Sequence, residues 1–128
     1  MQHVRIARPT CRLAALTAFY RDILGLALLA RFEDHDGFDG VMLGRPGAGV
    51  HLEFTQQRGA QPPADPSPEH LLVLYFELAD WDVAVATVRR AGCPTVASHN
   101  PYWDRHGVTI EDPDGYRIVL HCGTWHAP

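Results

Sequence analysis

Apolar and polar residues alternate most regularly in the stretch Val50-His51-Leu52-Glu53-Phe54-Thr55. Val50, Leu52 and Phe54 share one side, and His51, Glu53 and Thr55 share the other. A period of two predicts a half-buried strand. One side can pack on a helix, while the other presents an imidazole beside a carboxylate. A carboxylate on an inward sheet face is costly unless a metal, a cation or a water-filled hollow receives it.

The rest of the chain reads as what builds such a hollow. His3 to Ala7 alternates as a short strand, with Val4 and Ile6 toward the core and His3 and Arg5 on the other side. Thr10 is a candidate N-cap, and Leu13, Leu16, Phe19, Tyr20 and Ile23 follow at helical spacing up to Gly25. Leu26 to Phe32 predicts a strand, Asp34 to Gly40 a turn and Val41 to Leu43 a short strand. Arg45 to Gly49 predicts a hairpin loop leading into the strand from Val50 to Thr55. Residues 57–69 form a proline-rich linker. The order then repeats: a strand from Leu71 to Leu78, and a helix capped by Asp80 with a stripe of Trp81, Ala84, Val85, Val88 and Ala91. Weaker strands follow at Pro94 to Ala97 and Val108 to Ile110, then a tight turn at Asp112 to Gly115 and a closing strand from Tyr116 to His121. The expectation is an α+β chain of two βαβββ modules, residues 2–56 and 70–122, with a tail at 123–128.

Size and composition narrow the picture. The 128 residues fit one domain of two modules, with 46% hydrophobic and 20% charged residues. The formal net charge of −4 comes with scattered arginines, so no electrostatic footprint for nucleic acid or anionic lipid is expected. No signal peptide is read before the first strand, and no apolar run approaches roughly 18 residues. The three cysteines, Cys11, Cys93 and Cys122, make no zinc-ribbon spacing and no disulfide framework. A soluble protein of the reducing cytoplasm is expected. Asp34, Asp36 and Asp39 lack the remaining spacing of a calcium loop. Gly44 to Gly49 precedes no helix and is not a phosphate cradle.

Phe19-Tyr20 with Leu24-Gly25-Leu26, then Leu52-Glu53-Phe54, then Glu111-Asp112-Pro113-Asp114-Gly115-Tyr116-Arg117 before a last strand resemble the vicinal oxygen chelate superfamily. The resemblance runs from Gln2 to His121. That superfamily includes glyoxalase I, extradiol dioxygenases, and fosfomycin- and bleomycin-resistance proteins. It implies a glyoxalase-like fold, with paired modules curving one mixed sheet into a cup and helices outside. It also implies a homodimer and a small organic ligand in the cup.

In catalytic members one divalent metal is held by the first and last strands of each module. Position by position, Glu53 matches the carboxylate ligand. Ungapped counting puts Arg5 where a histidine is expected, and a two-residue insertion would bring His3 there. His70 lies near the third position, which ungapped counting gives to Val73. The fourth falls on Val119, with His121 two residues on and on the same face. A set of His3, Glu53, His70 and His121 would suit Zn, Ni, Mn or Fe(II). The metal would serve a glyoxalase-like lyase or an extradiol-type dioxygenase, with Glu53 as the catalytic carboxylate that also shuttles a proton. The alternative is a metal-free small-molecule binding or resistance protein in which Arg5 pairs with Glu53. Removing Glu53 would then leave Arg5 buried and unpaired. Arg5, His51, Tyr102, Trp103, Arg117 and Val119 are the expected cup-lining residues under either reading.

Overall fold

The computed structural model describes residues 1–128 and divides them into two compact units, residues 1–64 and 65–128. Each unit carries one four-stranded mixed sheet.

Unit one contains β1 (Val4–Pro9), α1 (Leu13–Ala18), β2 (Ala27–His35), β3 (Phe38–Gly44) and β4 (Val50–Gln57). The sheet order is β1-β4-β3-β2, with β1 parallel to β4 and the other pairs antiparallel. α1 runs on into a wider π turn, Phe19–Ile23, where the Leu24 N–H reaches back to the Phe19 carbonyl at 3.1 Å. That turn brings Tyr20 onto the sheet, its ring 4.8 Å from that of Phe54. Leu16, Phe19, Tyr20, Val41, Leu43, Leu52 and Phe54 form the buried core of this unit. The alternation in β4 therefore does what its period demands: Leu52 and Phe54 meet the helix, and His51 and Glu53 point away from it.

Two local expectations change. Thr10 does not cap α1, because the N-cap position belongs to Arg12 and carries no side-chain cap bond. Thr10 Oγ1 instead accepts the Arg12 N–H at 2.9 Å, while Gln56 Oε1 on β4 accepts the first helical N–H, that of Leu13, at 3.1 Å. The aspartate-rich stretch is mostly strand rather than turn. β2 runs on to His35, and only Asp36-Gly37 closes the hairpin, with φ of 51° and 84°. Two left-handed residues match the strand twist, which suits an Asp-Gly pair.

Unit two repeats the plan with β5 (Leu71–Phe76), α2 (Leu78–Arg90), β6 (Thr95–Val96), β7 (Gly107–Glu111) and β8 (Arg117–Cys122), in sheet order β5-β8-β7-β6. Val85 and Val88 of α2 pack within a core that includes Ile110, Ile118 and Leu120. Trp81 Nε1 donates to the Leu120 carbonyl at 2.8 Å, pinning the helix to β8. α2 starts three residues earlier than expected. Glu77 occupies the cap position without a side-chain bond, and Asp80 sits in the first turn, where its charge favours the positive helix end. The aromatic loop contains a short 3-10 turn, Pro101–Asp104, capped by Asn100 Oδ1 accepting from the Tyr102 N–H at 3.0 Å.

Candidate functional site

Parallel pairing of β1 with β4 sets Arg5 opposite His51 and Ala7 opposite Glu53. Side chains opposite one another in register share a face, so His3 and Arg5 join His51 and Glu53 on the side away from α1. They form one connected group. Arg5 Nη1 lies 3.1 Å from Glu53 Oε2, and Arg5 Nε donates to His51 Nε2 at 3.0 Å. His51 Nδ1 and His3 Nε2 are 2.6 Å apart, with ring centroids separated by 4.7 Å. The Glu53 side chain is only 12% exposed, whereas that of Arg5 is 52% exposed. The carboxylate lies at the sheet surface and the guanidinium covers it.

The donor inventory assigns the proton positions in this chain. Arg5 Nε can only donate, so His51 Nε2 must accept, and the His51 proton sits on Nδ1. Nδ1–H then donates to His3 Nε2, which leaves the His3 proton on Nδ1. Burial, then the charges of His3 and Arg5, hold the His51 imidazole below its ordinary range, which agrees with a neutral ring.

This face does not fit a divalent metal. One carboxylate oxygen, Glu53 Oε2, is ion-paired with the Arg5 guanidinium, and the His51 Nε2 lone pair accepts from the same guanidinium. Within each unit, no group of three or more His, Cys, Asp or Glu side chains is placed to hold a metal.

The second pair of ligands expected from sequence fares differently in unit two. His70 is exposed in the turn before β5, where its N–H bonds the Ser67 carbonyl at 3.1 Å. Its position has the parity of Leu72 and Leu74, toward α2, whereas Leu71 and Val73 share the face of Arg117 and Val119. Val119 is fully buried, on the same face of β8 as Arg117 and His121. Arg117 is committed to the Ala97 carbonyl at 3.1 Å and to Glu111 at 3.3 Å.

His121 does lie on the side away from α2, among rings. Tyr75, Trp103 and His106 surround it at centroid distances of 5.0, 5.8 and 6.3 Å. Its buried Nδ1 has no hydrogen-bond partner. Burial and the charge of His106 keep this imidazole below its ordinary range. Tyr102 packs edge-on to Trp103 at 5.0 Å and is 54% exposed, so it presents an aromatic surface. Neither His106 nor Tyr75 is among the candidate residues read from the sequence. What sets Tyr75 opposite His121 is the parallel register of β5 and β8, which no local pattern announces.

Unit one also holds a cavity of about 610 Å³ on its helix side, away from the Arg5 group. Leu13 and Thr17 of the helix line it, together with Leu28, Val41 and Arg58. Arg58 there is bonded to Asp39 at 2.9 Å.

Comparison with known proteins gives a consistent placement. Residues 4–55 match the YycE-like N-terminal domain and residues 69–122 the YycE-like C-terminal domain. The chain is 47% identical over 118 residues to the uncharacterized protein YycE of Bacillus subtilis (strain 168), spanning 91% of this chain and 85% of that protein. A crystal structure of a Bacillus subtilis YycE protein of unknown function aligns with a TM-score of 0.91 at 42% identity, over 98% of this chain and 93% of that one. The trypanothione-dependent glyoxalase I of Leishmania major aligns with a TM-score of 0.74 at 20% identity, over 95% of this chain and 86% of that one, which shows the shared fold. The chain belongs to the YycE-like family, within the vicinal oxygen chelate superfamily of glyoxalase and fosfomycin-resistance proteins.

Proposed function

We propose that this protein binds a small organic molecule on the sheet face that carries His3, Arg5, His51 and Glu53, without a divalent metal among those side chains. The observation that carries the reading is the Arg5–Glu53 pair at 3.1 Å, which occupies the carboxylate this superfamily offers to a metal. The exposed Tyr102 and its partner Trp103 in unit two are a second surface, suited to stacking a planar group. A lyase or dioxygenase using Glu53 as a ligand would require Arg5 to leave both Glu53 and His51.

Elemental analysis of purified, untagged protein tests the reading. Well under one metal per chain is expected, with no uptake of Zn, Ni, Mn or Fe(II) on dialysis. A stoichiometric metal that is lost in Glu53→Gln would overturn it in favour of metal chemistry. The homodimer implied by the superfamily is part of the proposal, and a solution mass of one chain would remove it.

A further inference from the structure

Building on the metal-free reading, we infer that the Arg5 face of unit one is an oxyanion site, and that its ligand is a small molecule bearing a carboxylate or phosphonate. The argument rests on which hydrogen-bonding ends the side-chain group leaves open. Arg5 gives Nε–H to His51 and sets Nη1 3.1 Å from Glu53 Oε2 as an ion pair, and its Nη2 has no protein partner. At the other end, the tautomer assignment puts the His3 proton on Nδ1, which also has none. Both open ends are therefore donors. Of the acceptors, the two imidazole Nε2 atoms are consumed within the group and Glu53 Oε2 is ion-paired with Arg5, while the remaining carboxylate oxygen, Oε1, belongs to a side chain only 12% exposed.

Charge points the same way. Glu53 is the one carboxylate of the group, and Arg5 neutralises it. Ala7, Met42 and Gly44, which register places beside Glu53 and His51, bring no charge. On the exposed side an oxyanion meets the guanidinium, while the Glu53 carboxylate that would attract a cation is nearly buried beside it.

Geometry adds preorganisation. A free arginine loses rotamer freedom when it grips a ligand. Here Glu53 and His51 hold the guanidinium from two sides before any ligand arrives, while half of the side chain stays open to solvent. A planar carboxylate or a tetrahedral phosphonate can take charge-assisted bonds from such a held guanidinium. In this account Arg5 contacts the ligand, and His51 and Glu53 are positioning residues.

Calorimetric titration with benzoate, phenylphosphonate, benzamide and benzamidine tests the assignment. At least one of the two anions should bind, with benzamide and benzamidine weaker by about tenfold or more. Arg5→Gln should weaken the anion by about tenfold or more, and His51→Ala should fall between it and the parent. Arg5→Gln combined with Glu53→Gln, which strands no carboxylate, should lose the anion equally and guards against a folding artefact. Nitrogen-15 shifts should show both imidazoles protonated at Nδ1, with His3 Nδ1 and Arg5 Nη2 responding to the anion. Failure of both anions to bind, equal binding of benzamide, an unaffected Arg5→Gln, or a His3 protonated at Nε2 would each overturn the oxyanion site. Metal analysis separates the two levels: metal-free protein that ignores both anions loses this inference alone, whereas stoichiometric metal removes the underlying reading.

Discussion

Cutting the Arg5–Glu53 pair from its two ends should have unequal costs. Sequence reasoning placed the liability on Arg5, stranded in a buried site once Glu53 is removed. The structure reverses this, because the Arg5 side chain is 52% exposed and that of Glu53 only 12%. Two opposite charges at about 4 Å attract by roughly 4 kcal/mol at an effective dielectric of 20. Water replaces most of that for an exposed arginine, so Glu53→Gln should cost about 1 kcal/mol or less. Arg5→Met keeps the apolar stem but leaves a nearly buried carboxylate without its cation, for which about 2–3 kcal/mol is expected. For a chain of this size each kcal/mol is worth roughly 3–5 °C in Tm. Urea or thermal unfolding at neutral pH should thus rank Arg5→Met well below Glu53→Gln. Equal deficits, or a larger one for Glu53→Gln, would refute this account of the face.

Four further outcomes follow from the same structure. The folded state holds the His121 imidazole below its unfolded value, so the unfolded chain binds more protons and stability should fall as pH drops below about 6.5; His121→Phe should flatten that part of an unfolding series taken from pH 7.5 to 5. Gly107→Ala would set a Cβ 2.8 Å from the Trp103 carbonyl oxygen and 3.0 Å from Val119, so a loss of about 1–3 kcal/mol is expected from denaturant midpoints. Gly40→Ala meets only the far end of the Phe32 ring, which can turn aside, and should cost less in the same assay. Trp81→Phe removes the donor to the Leu120 carbonyl, and about 1 kcal/mol should be lost if that bond anchors α2.

Local pattern was enough to read the duplicated order of elements, because each strand and helix advertises its buried side within a few residues. Leu52 and Phe54 against His51 and Glu53 is a period that no neighbour is needed to interpret, and the stripe of Trp81, Val85 and Val88 is another. Turn and cap chemistry was less legible. Thr10 and Asp80 have the right side chains for caps, yet the chain enters each helix through a different residue, and Gln56 on a distant strand supplies the acceptor that Thr10 was expected to provide.

The candidate site itself was decided by tertiary structure. From sequence alone Glu53 could meet a metal or Arg5, since both need only that the carboxylate face inward. What separates them is the parallel register that sets Arg5 beside His51, fixed by pairing two strands 46 residues apart around a helix and a hairpin. No local propensity encodes that register. His70 lies before β5, outside the paired strand, and Val119 is fully buried, and neither fact is announced by the local sequence. Periodicity along one strand reports which side of a sheet a residue occupies; which side chains meet there depends on the strands that come to lie next to it.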